Sequence, residues 1–158
     1  STTSALVLTA VLIALATLFT MYTKIPVPGI RGYFNVGDVV IMTSALLLGR
    51  KYGAYIGAIG PALADLFLGY AVFVPITFVV KGIEGYLVGT VYNNKTTTSA
   101  LVATIVGGIV IVAGYFIAEY FVFDPGVAIA SILTNTIQAV MSVIISMILY
   151  AILRKRLG

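Results

Sequence analysis

The chain has 158 residues, of which 61% are hydrophobic and only 9% are charged. A soluble domain carries about 25% charged residues, so this chain has too little polar surface for a water-soluble globule. Neither cysteine nor histidine occurs, which excludes disulfides and the commonest zinc and haem ligands, and we expect no metal or cofactor. The cations behind the net charge of +4 border apolar segments, so we attribute them to membrane orientation and expect no nucleic-acid partner.

Six apolar segments follow one another along the chain, and a helix crosses the hydrocarbon core with about 20 such residues. The predicted spans are 3–22, 36–49, 52–70, 75–92, 99–121 and a sixth that ends near residue 153. They are separated by a Pro- and Gly-rich loop at 24–32, by the cations at 50–51, and by turns near 70–75, at 93–96 and at 124–126. The sequence therefore predicts an all-α integral membrane protein, with six transmembrane helices forming one domain over residues 1–158.

The cations of the connecting segments are distributed unequally between the two sides of this predicted bundle. One side carries Arg50, Lys51, Lys95, Arg154, Lys155 and Arg156, and the other carries Lys24 and Arg31. Cytoplasmic loops of membrane proteins are enriched in Lys and Arg. We therefore expect a multi-pass membrane protein with both termini in the cytoplasm.

Small residues recur at helical spacing in three spans. Glycines of spans three and four lie three or four residues apart, which lets neighbouring backbones approach closely, and we expect packing inside the bundle there. Ala10 and Ala14 form a similar pair in span one. At that position two alternatives remain open, namely another helix of this bundle or a separate membrane subunit.

Ionisable and amide side chains gather in the outer half of the predicted spans. Such groups are costly in lipid and need a partner or a function. The candidate binding residues are Asp65, Lys81, Glu84, Tyr115, Glu119, Asn135, Gln138 and the aromatic Phe34. Aromatic faces with a few polar anchors suit a small flat heterocycle, so we expect a ligand pocket reached from outside.

Structural roles compete with that interpretation for several of these residues. Lys81 also suits an ion pair with Asp65 or Glu84 that only neutralises charge. The amides of span six suit hydrogen bonds between helices. Asp38 opens span two, where a capping aspartate is common.

A series of short motifs resembles a known family. The motifs are FNVGDVV at 34–40, LLLG at 46–49, YGA at 52–54, GPALADL at 60–66 and KGIEG at 81–85. Together they resemble the membrane-embedded S components of energy-coupling factor (ECF) transporters, of the group with riboflavin-, pyridoxine- and hydroxymethylpyrimidine-type members. The resemblance implies a six-helix protein of a prokaryotic plasma membrane that binds a vitamin from outside. It also implies that this protein docks on a transmembrane coupling subunit (T component), which sits on two cytoplasmic ATPases. In the family an Ala-x-x-x-Ala motif of the first helix serves that docking, and Ala10 and Ala14 match it.

The resemblance favours a hydroxymethylpyrimidine- or pyridoxine-type cargo, with riboflavin next. The chain contains no Gly-x-x-x-x-Gly-Lys-Ser/Thr phosphate loop, so uphill import would need energy from a partner, and we expect a transporter subunit and not an enzyme. Two other functions stay open. One is a stand-alone carrier or channel, and the other is an intramembrane aspartyl protease built on Asp38 and Asp65.

Overall fold

Six α-helices and one short β-hairpin make up the fold of the computed structural model, which describes residues 1–93 and 95–157. The helices are α1 (Thr2–Tyr22), α2 (Asp38–Leu48), α3 (Arg50–Leu68), α4 (Val74–Val91), α5 (Thr97–Val122) and α6 (Pro125–Leu157), and the strands are β1 (Ile25–Pro26) and β2 (Tyr33–Phe34). The prediction of six helices is confirmed, with ends that differ from the predicted ones by up to four residues. In the predicted turn at 93–96, Asn94 lies outside the described residues.

Four of these helices have the length and apolar composition needed to cross a membrane, within the part of the chain that the structure describes. They are α1, α4 with the 3₁₀ turn before it (Ala71–Phe73), α5 and α6. The other two differ in kind. With 11 residues, α2 is only about 16 Å long, roughly half the thickness of the hydrocarbon core. Arg50, Lys51 and Asp65 lower the hydropathy of α3.

The short helix α2 lies at the centre of the bundle, against α1, α3, α4 and α6. Every residue from its first, Asp38, to Leu46 is buried. Gly49 ends the helix with a φ of +101°, a conformation that favours glycine, and α3 begins at the next residue. The break between spans two and three therefore lies at Gly49, whereas the sequence analysis placed it at Arg50 and Lys51, which form the first turn of α3.

Helices α3 and α4 pack with their backbones in close contact. A Cβ atom added at Gly53 would collide with the backbone of Gly85, and one added at Gly57 would collide with the carbonyl group of Lys81. Gly60 faces α1, where its added Cβ would lie 2.7 Å from the Cβ of Ala16. The predicted role of these glycines in packing inside the bundle is confirmed.

The α1–α2 loop (residues 23–37) folds over one end of the bundle. Its two strands pair antiparallel, with Ile25 opposite Phe34 and Pro26 opposite Tyr33. Lys24 Nζ lies 5.0 Å from the ring centre of Tyr70, which precedes the 3₁₀ turn before α4. The sequence analysis predicted a loop at 24–32, and it did not predict the hairpin because strands of two residues are too short to leave a pattern.

Candidate ligand-binding site

A polar cavity lies beneath the α1–α2 loop, between α3, α4, α5 and α6. Its volume is about 40 Å³. Six of the eight predicted binding residues line it, namely Asp65, Lys81, Tyr115, Glu119, Asn135 and Gln138. The loop contributes Ile30, Gly32, Tyr33 and Asn35, and the other lining residues are Pro61, Phe73, Thr77 and Ser131. The structure thus brings together side chains that the sequence placed only at a similar depth.

Lys81 and Gln138 share one carboxylate at the inner end of this cavity. Lys81 Nζ lies 3.1 Å from Asp38 Oδ1, and Gln138 Nε2 donates to Asp38 Oδ2 at 2.9 Å. The other side of the amide, Gln138 Oε1, accepts a hydrogen bond from the backbone N–H of Asn35 at 3.2 Å. Asp38 therefore links α2, α4 and α6, and Gln138 extends the network to the α1–α2 loop. The predicted partners of Lys81 were Asp65 and Glu84, so the observed partner is a different residue.

Glu84 lies fully buried beside this network and does not line the cavity. Neither of its carboxyl oxygens meets hydrogen-bond geometry with a partner among the described residues. It interacts electrostatically with Asp38 and Lys81. Its position supports a role in the charge balance around Lys81, since a buried carboxyl group needs compensation from its surroundings.

Asp65 is held by two donors from the protein. Tyr33 Oη donates to Asp65 Oδ1 and Thr77 Oγ1 donates to Asp65 Oδ2, each at 2.5 Å. Thr77 Oγ1 also lies 2.7 Å from Tyr115 Oη. Burial and the neighbouring Asp65 raise the pKa of Tyr33, which keeps the phenol protonated and able to donate. Asp65 thus fastens the α1–α2 loop to α3 and has little capacity left for a ligand.

Glu119 and Asn135 have free capacity towards the cavity. Ser131 Oγ donates to Glu119 Oε2 at 2.7 Å. Among the residues that the structure describes, none donates to Glu119 Oε1 or bonds the side-chain amide of Asn135. Ser131 and Asn135 lie one turn apart on the same face of α6.

Aromatic rings form the wall near the loop. The rings of Phe73 and Tyr115, both lining the cavity, have centres 6.5 Å apart. Phe123, at the end of α5, packs 5.6 Å from Phe73, and the guanidinium of Arg31 lies 5.1 Å from the centre of the Phe123 ring. Flat apolar faces beside a few polar groups are what small heterocycles bind.

The structure places two residues differently from what the sequence suggested, namely Phe34, one of the chosen binding residues, and Asp38, which was not chosen. Phe34 is not among the lining residues, because alternate residues of β2 point to opposite sides and its neighbours Tyr33 and Asn35 take the inner side. The sequence analysis considered Asp38 as a helix cap. In the structure its side chain does not cap α2 and forms an ion pair with Lys81. The sequence did contain one signal for this role. A carboxylate in an apolar span requires a partner, even when that partner lies on a distant helix.

The alanine pair of α1 lies on the outer surface of the bundle. Ala10 and Ala14 are exposed, whereas Ala16 is fully buried against Gly60 of α3. Among the described residues no helix covers the pair, and the small residue of α1 that packs inside the bundle is Ala16.

The architecture matches that of a solved structure described as "Structure and mechanism of the S component of a bacterial ECF transporter". The TM-score is 0.84, with 23% sequence identity, over 100% of this chain and 99% of that chain. At that identity the match establishes the fold. The family model described as "ECF-type riboflavin transporter, S component" matches residues 1–155. The chain therefore belongs to the S components of ECF transporters, a family of multi-pass membrane proteins that transport vitamins or their precursors.

Two relatives extend this assignment. The chain is 30% identical over 149 residues to the "Thiamine precursor transporter HmpT" of Lactococcus lactis, covering 93% of this chain and 83% of that protein. It is 42% identical over 145 residues to an "Uncharacterized protein in gap 3'region" of Pyrococcus woesei, covering 90% of this chain and 96% of that protein. The family is one of transporter components and not of enzymes, and the two aspartates of the protease alternative have separate partners.

Proposed function

We propose that this chain is the capture subunit of a vitamin importer, with both termini in the cytoplasm of a prokaryotic cell. It binds a water-soluble vitamin or vitamin precursor from outside, in the cavity beneath the α1–α2 loop. The observation that carries this proposal is the cavity itself, where Lys81, Glu119 and Asn135 face one enclosed space at one end of an otherwise apolar bundle. Groups so costly in a membrane are retained where they bind a substrate.

The cargo that we favour is a single ring of the hydroxymethylpyrimidine or pyridoxine type, with riboflavin next. One relative is named as a thiamine precursor transporter, and the family description names riboflavin. A cavity of about 40 Å³ has room for only about three or four waters. A ligand therefore enters when the α1–α2 loop moves outward, and a single ring requires a smaller movement than the three fused rings of a flavin.

Lys81 and Asn135 contribute polar contacts, and Phe73 and Tyr115 offer faces for the ring. Gln138 acts through the α1–α2 loop, whose Asn35 backbone it holds. Lys81 has N–H groups left beyond its contact with Asp38. Asp65 and Glu84 act indirectly, the first through the loop and the second through the charge of Lys81.

Delivery uses a partner. The exposed pair Ala10 and Ala14 on α1 offers a small-residue surface on which a helix of the T component can pack closely. Two cytoplasmic ATPases on that T component supply the energy. The cations of the other end of the bundle, Arg50, Lys51 and Arg154 among them, then face the cytoplasm.

Native mass spectrometry of the detergent-purified chain, followed by titration with hydroxymethylpyrimidine, pyridoxine and riboflavin, tests the capture role. We expect one of the three to bind at one molecule per chain. A folded chain that binds none of them would overturn the proposal. Uptake into liposomes that contain this chain alone would support the stand-alone carrier instead.

A further inference from the structure

One carboxylate of the cavity wall has no cation to balance it. Glu119 is only 3% exposed, and the ion pair found among the described residues joins Lys81 to Asp38. Ser131 Oγ donates its single hydrogen to Glu119 Oε2 at 2.7 Å, and the Val127 carbonyl oxygen lies farther away, at 3.1 Å. Glu119 lines the cavity, and its Oε1 receives no donor from the described residues. Because a buried carboxylate is costly until it receives hydrogen bonds, this oxygen is suited to an N–H group of the ligand.

The side chain one turn along α6 supplies a complementary group. Asn135 lines the same cavity, and its amide has no hydrogen-bond partner among the described residues. A side-chain amide offers both a donor and an acceptor. Gln138, by contrast, uses both ends of its amide within the protein. A free carboxylate oxygen and a free amide that line one small cavity match a ligand edge on which a donor adjoins an acceptor.

The charge balance of the site points to the same kind of ligand. Four carboxyl groups lie in or beside the cavity wall, those of Asp38, Asp65, Glu84 and Glu119, and Lys81 is the basic side chain in that group. Lys81 is engaged with Asp38. A ligand edge of N–H groups donates hydrogen bonds to carboxylate oxygens and adds no charge, whereas an anionic ligand group would add a negative charge to the site.

We propose that Glu119 binds the amino group of an amino-substituted nitrogen heterocycle, and that Asn135 binds the ring nitrogen beside it. This assignment depends on the proposed function and names the class of cargo, an aminopyrimidine-like ring. Ser131 acts as a positioning residue, because its hydroxyl fixes one oxygen of Glu119 and leaves the other for the ligand.

Calorimetric titration of the full chain in detergent tests the assignment with two ligands, hydroxymethylpyrimidine and its analogue with hydrogen in place of the amino group. We expect the wild-type chain to bind the amino form at least about 30-fold more tightly, since the analogue leaves a buried carboxylate without its donor. In Glu119→Leu the ratio falls below about 3-fold, and in Glu119→Gln, which keeps a neutral acceptor, it is intermediate. Asp124→Asn, which alters an exposed acid at the α5–α6 turn, keeps the wild-type ratio.

The outcomes separate this inference from the proposed function. Equal binding of the two ligands by the wild-type chain overturns the role of Glu119 while vitamin capture stands, and so does a wild-type ratio in Glu119→Leu. Binding of riboflavin or pyridoxine without the aminopyrimidine has the same consequence. A chain that binds none of these ligands overturns both. If Glu119→Leu does not fold, the wild-type ratio and the isosteric Glu119→Gln decide the matter.

Discussion

The Lys81 ammonium on α4 lies 3.1 Å from the Asp38 carboxylate on α2, and both side chains are almost fully shielded from solvent. Gln138 of α6 donates to the other oxygen of the same carboxylate. One acidic group thus joins three helices directly beneath the ligand cavity. A buried pair of this kind adds little net stability when intact, but removal of one partner leaves a charge that nothing balances.

Lys81→Met should therefore destabilise the ligand-free chain strongly. The change leaves Asp38 and Glu84 side by side without a cation, and we expect a loss of about 3–5 kcal/mol, or roughly 6–20 °C in the midpoint of thermal unfolding. Thermal unfolding in detergent, followed by the tyrosine signal, measures it.

The control is the double variant Lys81→Met with Asp38→Asn. It removes both charges and keeps an acceptor for the Gln138 amide, so we expect it to recover at least half of the lost stability. A double variant less stable than Lys81→Met alone would show that the interaction is not a compensated ion pair.

Gln138→Ala should weaken ligand binding through the α1–α2 loop. The amide holds the Asn35 backbone on one side and Asp38 on the other, so its removal detaches the loop from α6. We expect affinity to fall by about 10- to 100-fold, mostly through faster dissociation. Stopped-flow and equilibrium titrations measure the two quantities.

Thr136→Ala is the matched control for that variant. Thr136 lies on the exposed face of the same helix and bonds only its own backbone, at the Ile132 carbonyl. Its affinity should stay within about 2-fold of wild type. Unchanged affinity in folded Gln138→Ala and folded Lys81→Ala would contradict the placement of the site.

The sequence predicted the depth of the site residues in the membrane better than the direction in which their side chains point. Hydropathy and turn residues locate a side chain along the membrane normal, and on that basis six of the eight chosen residues proved to line one cavity. Depth does not say which way a side chain points. Phe34 and Tyr33 are neighbours at the same depth, yet only Tyr33 turns inward, because a hairpin of two-residue strands fixes the alternation.

Asp38 shows a second limit. Gly37 and Asp38 open a helix after a loop rich in Pro and Gly, which is the local pattern of a capping aspartate. The partner that decides its role lies on α4, and no local pattern connects the two residues. The helices themselves were predictable because each apolar segment ends in a turn, and α2 was predictable although it is too short to cross a bilayer.

Gly85→Ala should disrupt the contact between α3 and α4. The added Cβ would overlap the carbonyl group of Gly53, which belongs to a helix backbone and cannot turn aside. We expect a loss of at least about 3 kcal/mol, because the helices must separate along their whole contact. The thermal midpoint in detergent measures this loss.

Gly108→Ala is the comparison, since its added Cβ would lie 3.3 Å from the Ala139 Cβ, a methyl group on a different helix pair. We expect a change of no more than about 1 kcal/mol there. Similar midpoints for the two variants would show that the α3–α4 contact is less close than the structure indicates.

Bulky replacements at Ala10 and Ala14 should abolish import and spare capture. Both alanines are exposed on α1, so tryptophan at either position can be accommodated by this chain alone, but it prevents the close approach of a partner helix. We expect ligand affinity within about 2-fold of wild type, and uptake reduced at least about 10-fold in liposomes that contain the T component and both ATPases. Co-purification of the T component should fall in parallel.

Ala113→Trp supplies the matched control, because Ala113 is also exposed but lies on α5, which has no contact with α1 among the described residues. It should leave both capture and uptake near wild type. Loss of binding in the α1 variants would mean that the pair supports the fold of this chain. Normal uptake with tryptophan at both positions would mean that the T component docks on another face. If Ala113→Trp loses as much uptake as the α1 variants, a bulky side chain anywhere on the surface interferes with assembly.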